Sequence, residues 1–249
     1  MSKQDLVIGI DVGGQSTKLG VVDARGNILY QSVISSLQRE LDDYISDLTT
    51  AINDLVAQCK EDGNVKGIGI GAPNGNYYKG TIEFAPNLKW AYDSNGTPMV
   101  IQFAKLISDR VNIPVVLTND ANAAAVGEMT YGIAKGMKNF IMITLGTGVG
   151  SGIVINGNIV YGHDAFAGEL GHTTIIRDGR ECGCGLKGCL ETYTSATGVA
   201  RTAKEFLQRD NTPSLLRNLD IDRISSKDIY DAAKQGDKLA LEIFDFTAD

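Results

Sequence analysis

The sequence predicts an α/β fold of two lobes built on duplicated sheets. Three observations carry that prediction: an internal repeat, strands alternating with amphipathic helices, and an apolar fraction of 43% over 249 residues, enough for a sizeable core. The repeat organises the rest. From Ile8, "IGIDVGGQSTKLGVVDARGNILYQ" runs apolar strand, glycine turn, strand, polar turn, strand; from Ile143, "ITLGTGVGSGIVINGNIVYG" repeats that order.

Between the copies each element has a local reason. In "ELDDYISDLTTAINDLVAQCKEDG", the apolar residues Leu41, Tyr44, Ile45, Leu48, Ile52, Leu55 and Val56 fall at helical spacing. The spacing predicts a helix over 40–61, with Gly63 as its C-terminal cap. "VKGIGIGAP" reads as a buried strand opening into a loop, and "PMVIQFAKLISDRVN" as a second amphipathic helix stopping before Pro114. "IPVVLTNDANAAAVGEMTYG" gives a strand, a polar turn at Thr118 to Asp120 and an alanine-rich helix. The lobe boundary is placed at 118, giving an N-terminal lobe over 1–118 and a C-terminal lobe over 119–249. At the carboxyl end, "SKDIYDAAKQGDKLALEIFDFTAD" reads as two helices. The second breaks off while its stripe of Leu239, Leu241, Ile243 and Phe244 is still running, so the chain is expected to stop within an element.

Composition narrows the function. With 30 acidic against 23 basic side chains, a net charge of -7 and no basic cluster, a nucleic-acid partner is not expected. No apolar run approaches membrane-spanning length, and "MSKQDLVIGIDVGG" lacks the features of a secretory signal, so no membrane partner is expected and a cytoplasmic location is. One isolated cysteine, Cys59, and three clustered ones argue for reduced thiols and metal over a disulfide framework.

Three motifs carry chemistry. Glycines after a strand, in "DVGG" (Asp11 to Gly14) and "GTGVG" (Gly146 to Gly150), let backbone amides approach phosphate oxygens, and a carboxylate at the strand end can hold a hydrated Mg²⁺. The alternative for one such motif is a plain hairpin turn; two matched copies favour phosphate. Neither ends in Gly-Lys-Ser/Thr, and neither fits the dinucleotide fingerprint. In "TNDANA", Asp120 stands where a helix N-cap would stand and also where a general base for a hydroxyl would belong. Finally, "GELGHTTIIRDGRECGCGLKGCLE" gathers His172, Cys182, Cys184 and Cys189, with Gly183, Gly185 and Gly188 letting the backbone fold around an ion. One imidazole and three thiolates make a closed structural zinc set, with no position left for an activated water. A redox site or unmetallated thiols are the alternatives, and the spacing lacks the CxxC pair of a redox centre. Glu169 and Glu191 bracket this knot, where solvated acids are the default.

Taken in order, "DVGGQSTK", "GIGAPNG", "APNLKW", "TNDANAAAVGE", "LGTGVGSG" and "GELGHTTI" followed by "CGCGLKGCLE" resemble the ROK family of sugar kinases and sugar-responsive repressors, from about residue 6 to the last residue. The resemblance implies the actin and hexokinase-like ATPase fold with RNase H-like sheets, and phosphoryl transfer from MgATP to a hexose. Glucose is the expected substrate; N-acetylmannosamine, N-acetylglucosamine and fructose are the alternatives. It implies Asp120 as the catalytic base, and Asn87, Asn119, Glu169, His172 and Glu191 beside it as sugar ligands. Asp11, Gly13, Gly14 and Lys18, with Gly146, Thr147 and Gly148, are expected on the nucleotide phosphates. It also implies a structural Zn²⁺ that staples His172 and Glu191, and a homodimer. Members continue beyond this point with elements on the adenosine side, so a truncated product is expected. Family repressors carry a helix-turn-helix ahead of the sugar-binding part, which only a few residues precede here; a sugar-binding module without catalysis is the third reading. Two positions depart from the pattern: Gln15, where threonine is common, and Asn74, where glycine is usual.

Overall fold

A computed structural model describes residues 3–38, 40–209 and 211–249. The chain divides into two compact units, one of Met1–Met142 with Gly152–Ala167, the other of Ile143–Ser151 with Gly168–Asp249.

The first unit is built on strands β1 (Gln4–Val12), β2 (Ser16–Val22) and β3 (Ile28–Ser35), helix α1 (Leu41–Gln58) and strand β4 (Gly63–Ala72). Short strands β5 (Gly75–Asn76), β6 (Thr81–Glu83) and β7 (Val100–Ile101) follow, then helix α2 (Phe103–Val111), strand β8 (Val115–Asn119) and helix α3 (Asp120–Thr130). The five long strands make one sheet in the order β3-β2-β1-β4-β8. β1 pairs antiparallel with β2 and parallel with β4, and β4 parallel with β8. Strand alternation sends Leu6, Ile8, Ile10 and Val12 to one face, where they meet Tyr44, Ile45, Leu48 and Ile52 of α1 and Phe103 and Ile107 of α2. A Leu48→Ala substitution in this fully buried cluster is expected to cost about 2–5 kcal/mol, read as a lower midpoint in denaturant.

The helix predicted over 40–61 runs as α1 and closes through a 3₁₀ turn at Cys59–Glu61. Gly63 is not its cap. It opens β4 instead, lying so close to Gln4 O and Leu6 that a Cβ would collide with both. The second predicted helix is shorter than its sequence window, because Val100–Ile101 pairs with β6 before α2 begins. Asn112 then caps α2 in the left-handed region, φ 54°.

On the opposite face, α3 crosses β4 at Gly71, where a Cβ would lie 3.0 Å from that of Ala123. Beside it, Gly20, Gly9 and Gly69 are register neighbours across β2, β1 and β4. They form the floor of an open cavity of about 610 Å³, with Asp11 and Lys18 also on its lining.

The second copy of the repeat becomes β9 (Phe140–Leu145), β10 (Val149–Ile155) and β11 (Asn158–Ile159), in the order β11-β10-β9. It repeats the β3-β2-β1 meander in miniature, with a third strand of only two residues. Helices α4 (Glu191–Thr194), α5 (Ala196–Arg209), α6 (Ser226–Lys234) and α7 (Lys238–Ala248) lie in the second unit, which of these strands holds only 143–151; β11 belongs to the first. Its helical core joins Val199, Ala203 and Leu207 of α5 to Ile229 of α6 and Leu239, Ala240 and Ile243 of α7. The two predicted terminal helices are α6, closed at its start by a Ser225/Asp228 capping box, and α7, capped by Asp237. Leu241 of the predicted α7 stripe is 45% exposed.

Candidate functional site

In the first unit, candidate residues collect where β1 and β8 end. After β1 the chain turns sharply, Gly13 N–H donating to Ser16 O (3.1 Å). A Cβ on Gly13 would stand 2.9 Å from that oxygen, and one on Gly14 would stand 2.9 Å from Asn87 O, so the turn needs both glycines. The Gly14 approach places the "APN" loop and its exposed Asn87 against the first glycine turn. Asp11 and Lys18 are cross-strand partners at the start of that hairpin. Gln15 is exposed, and its carbonyl accepts from Ser36 N–H (3.1 Å).

Behind the turn lies a buried hydroxyl cluster that sequence reasoning missed. Thr17 Oγ1 lies 2.8 Å from Ser36 Oγ and 2.6 Å from Tyr44 Oη. The Tyr44 ring stacks on Trp90 at 4.3 Å, and its burial pushes the phenol up to about 12, so it stays a neutral donor. Nothing in "STK" or "DDYIS" reveals this, because the partners are far apart in sequence.

In the "TNDANA" turn the N-cap is Asn119 and not Asp120. Asn119 is the N-cap of α3, its Oδ1 accepting from Ala121 N–H (2.8 Å) and Asn122 N–H (3.3 Å). Asp120 is therefore the first residue of the helix, and its side chain is exposed. Although open to water, the carboxyl is crowded by surrounding protein. That desolvation raises its pKa; the Ala121 N–H bond works against it, and the negative charge of Asp11 adds to it.

Asn74 also finds its reason. It sits in the left-handed region, φ 52°, where asparagine is among the few tolerated residues besides glycine. Its Nδ2 donates to Glu83 O (2.9 Å) and Phe84 O (3.2 Å), bonds that glycine could not make. Asn74→Gly keeps the φ and loses the bonds. The expected cost is about 1 kcal/mol, or a Tm lower by roughly 2–4 °C in a thermal melt.

In the second unit, the turn between β9 and β10 closes by Gly146 N–H donating to Gly148 O (3.0 Å). It is tied to the start of α5: Ala196 N–H donates to Gly146 O (2.9 Å) and Thr197 Oγ1 to Thr147 O (2.8 Å). Glu191, at the head of α4, turns its carboxylate onto this turn, Oε2 accepting from Val149 N–H (3.1 Å). A Cβ on Gly148 would collide with Oε2, so that glycine makes room for the acid. Glu191 Oε1 lies 3.5 Å from Cys182 Sγ and 3.9 Å from His172 Nδ1. The half-buried Glu191 is thus shared between the glycine turn and the knot, contrary to the solvated-acid default. Glu169 is exposed, at the start of the turn that carries His172, and its carbonyl accepts from His172 N–H (3.1 Å).

The four donors of the knot all lie within 4.8 Å of one another. Cys182 Sγ is 3.6 Å from His172 Nδ1, and Cys184 Sγ is 3.7 Å from Cys189 Sγ. Tetrahedral ligands at zinc bond lengths stand about 3.4–3.8 Å apart, so both separations suit that ion. Burial pushes the Cys182 thiol up to about 12, a cost that a bound dication removes by stabilising the thiolate. Nδ1 is the imidazole nitrogen on the thiol side, which leaves Nε2 to face away from the knot. Gly185 (φ 89°) and Gly188 (φ 75°) supply the turns expected of them, and a Cβ on Gly188 would collide with Ile176 O. Gly183 differs from expectation: its φ is not in the left-handed region and open space surrounds it.

Comparison with known proteins then defines the class. The ROK family model matches residues 7–249, and the chain belongs to the ROK family. The glucokinase of Halalkalibacterium halodurans is 38% identical over 97% of this chain and 72% of its own length. Among solved structures, the ROK family glucokinase from Streptomyces griseus in complex with glucose and AMPPNP is 36% identical, with a TM-score of 0.77 over 98% of this chain and 75% of that one. A ROK family transcriptional regulator, a homolog of the E. coli MLC protein, reaches a TM-score of 0.85 at 26% identity, covering 98% of this chain and 59% of that one. The chain has the actin and hexokinase-like fold of these sugar kinases. Among the described residues, no helix is long and apolar enough to cross a membrane.

Proposed function

We propose that the chain transfers a phosphoryl group from MgATP to a hexose, with glucose the first substrate to test. The observation that carries this reading is the placement of Asp120: Asn119 is the N-cap of α3, and Asp120, at the first helical position, presents an exposed carboxyl of raised pKa, although its Oδ1 also accepts from Ala121 N–H. In the proposed reaction Asp120 accepts the proton of the attacking sugar hydroxyl, which is the task of a general base. The similarity to a kinase holding glucose and AMPPNP supports the same reading.

The remaining roles follow from what each group can offer. Asn87, Asn119, Glu169, His172 and Glu191 are assigned to the sugar hydroxyls. With its Oδ1 engaged at the cap, Asn119 contributes through Nδ2; His172 contributes through Nε2. Backbone amides of Gly13, Gly14, Gly146, Thr147 and Gly148, with the Lys18 ammonium, are assigned to phosphate oxygens. Asp11 would hold the hydrated Mg²⁺, which supplies charge neutralisation on the phosphates. His172, Cys182, Cys184 and Cys189 would hold Zn²⁺, whose contribution is rigidity in the loop that presents His172 and Glu191. Hydroxyl discrimination depends on such rigidity, since donors that relax cannot reject an epimer. Within this reading, 119–249 carries the base, the second glycine turn and the knot, and 1–118 carries the first turn and the Asn87 loop.

A sugar-binding module without turnover is the alternative reading, supported by the similarity to the ROK regulator. ADP release from MgATP, measured across glucose, N-acetylmannosamine, N-acetylglucosamine and fructose, decides between them. Turnover on one sugar is the expected result. Sugar binding without ADP release would overturn the kinase reading in favour of the module.

A further inference from the structure

Arg180 lies within the polar run "RDGRE", where a solvated arginine is the default, yet it is only 8% exposed. Both terminal nitrogens of its guanidinium are engaged. Nη1 donates to Thr192 O (2.8 Å) and Gly198 O (3.3 Å), and Nη2 to Thr202 Oγ1 (2.9 Å) and the Glu205 carboxylate. The group also lies over the Tyr193 ring, 4.5 Å from its centroid. Its main chain is held as well: Arg180 N–H donates to Tyr193 Oη (2.9 Å), and Arg180 O accepts from Gly188 N–H (2.8 Å).

These bonds meet at one junction. Cys182 lies two residues after Arg180, Cys189 directly follows Gly188, and Thr192 directly follows Glu191. One side chain therefore fastens the start of the cysteine loop to α4, at Thr192, and to α5, at Gly198, Thr202 and Glu205, while the Arg180 carbonyl fastens the loop's other end. Glu191 sits where the fastened parts join, with Oε2 on Val149 N–H. We propose that Arg180 is a positioning residue: it sets the Glu191 carboxylate relative to the cysteine knot, and through Glu191 it sets sugar affinity. The second clause rests on the reading of Glu191 as a sugar ligand; the first does not. Arginine suits this task because its planar fork serves several acceptors in fixed directions at once, whereas a lysine ammonium at the same place cannot reach Thr192 O, Gly198 O and Thr202 Oγ1 together.

The test compares the zinc-loaded full chain with Arg180→Lys and Arg180→Met, at a temperature where circular dichroism shows all three folded. Two readouts are taken: the amide resonance of Val149, which reports the Glu191 bond without any sugar, and the dissociation constant for glucose by calorimetry. In Arg180→Lys the expected result is retained zinc, a displaced Val149 resonance and glucose affinity about tenfold weaker, with Arg180→Met at least as weak. Glu205→Gln, which alters the outermost bond and spares those to Thr192 O and Gly198 O, should leave both readouts near the wild type. A folded, zinc-bearing Arg180→Lys with an unmoved Val149 resonance would overturn the proposal. A displaced resonance with unchanged glucose affinity would uphold the positioning of Glu191 and remove Glu191 from the sugar ligands. Glucose failing to bind even the wild type, with the resonance displaced, would likewise sink the sugar reading alone.

Discussion

Asp120→Asn is expected to lower the rate of phosphoryl transfer by about 10²–10⁴-fold while leaving glucose affinity within a few-fold of wild type, since only proton acceptance is lost. The asparagine Oδ1 can still accept from Ala121 N–H as the aspartate does, so the helix start should survive. Stability should move the other way. The folded chain raises the Asp120 pKa above that of an unfolded aspartate, so the ionised form is less welcome in the folded state. That penalty is present at neutral pH and fades as pH falls through the raised value. The variant should therefore melt slightly higher than wild type at pH 7, with the advantage shrinking toward pH 4. The same shift places the acid limb of the kcat/KM profile, which reports the free chain, above the range of an ordinary aspartate. Because Asp11 is one cause of the shift, Asp11→Asn should bring the Asp120 carboxyl down, measured by titrating the ¹³C-labelled side chain. Normal turnover in Asp120→Asn would remove it as the base.

Removal of the metal should have the next largest effect. The purified chain is expected to carry about one zinc, and Cys184→Ser, which disturbs the exposed corner of the knot, to lose most of it. Glucose affinity should then fall at least tenfold, because the loop that carries His172 and the bonds around Glu191 lose their anchor. Helical circular dichroism should change little, since the core of α5, α6 and α7 draws on Val199, Leu207, Ile229, Leu239 and Ile243 and on none of the cysteines. Metal analysis showing no zinc in protein that still binds glucose would defeat the staple. Global unfolding of Cys184→Ser would instead assign the knot to the stability of the whole unit.

Much of the architecture was legible because it follows from local pattern. Period-two and 3.6-residue patterns announced β1, α1 and α2, and the repeated turn announced both β3-β2-β1 and β11-β10-β9. Boundaries were less legible where a tertiary partner competes with local preference. Gly63 looks like a helix cap until the closeness of Gln4 and Leu6 shows why a glycine must begin β4. Val100–Ile101 looks helical until β6 pairs with it.

The amino-acid sequence by itself determined the α/β class, the duplicated glycine turns and the set of one histidine and three cysteines. Each is a matter of residue type and spacing along the chain, and local sterics or ligand chemistry translates it directly. Only the tertiary structure decided between roles that one residue type permits. It gave the cap of α3 to Asn119 and left Asp120 open, turned Glu191 onto Val149, and buried Arg180 where the sequence suggests a solvated charge. The physical reason is that burial, hydrogen-bond partners and pKa belong to neighbours in space. The partners of Glu191 stand 42 residues away at Val149 and 9 away at Cys182, a closeness that no spacing rule encodes.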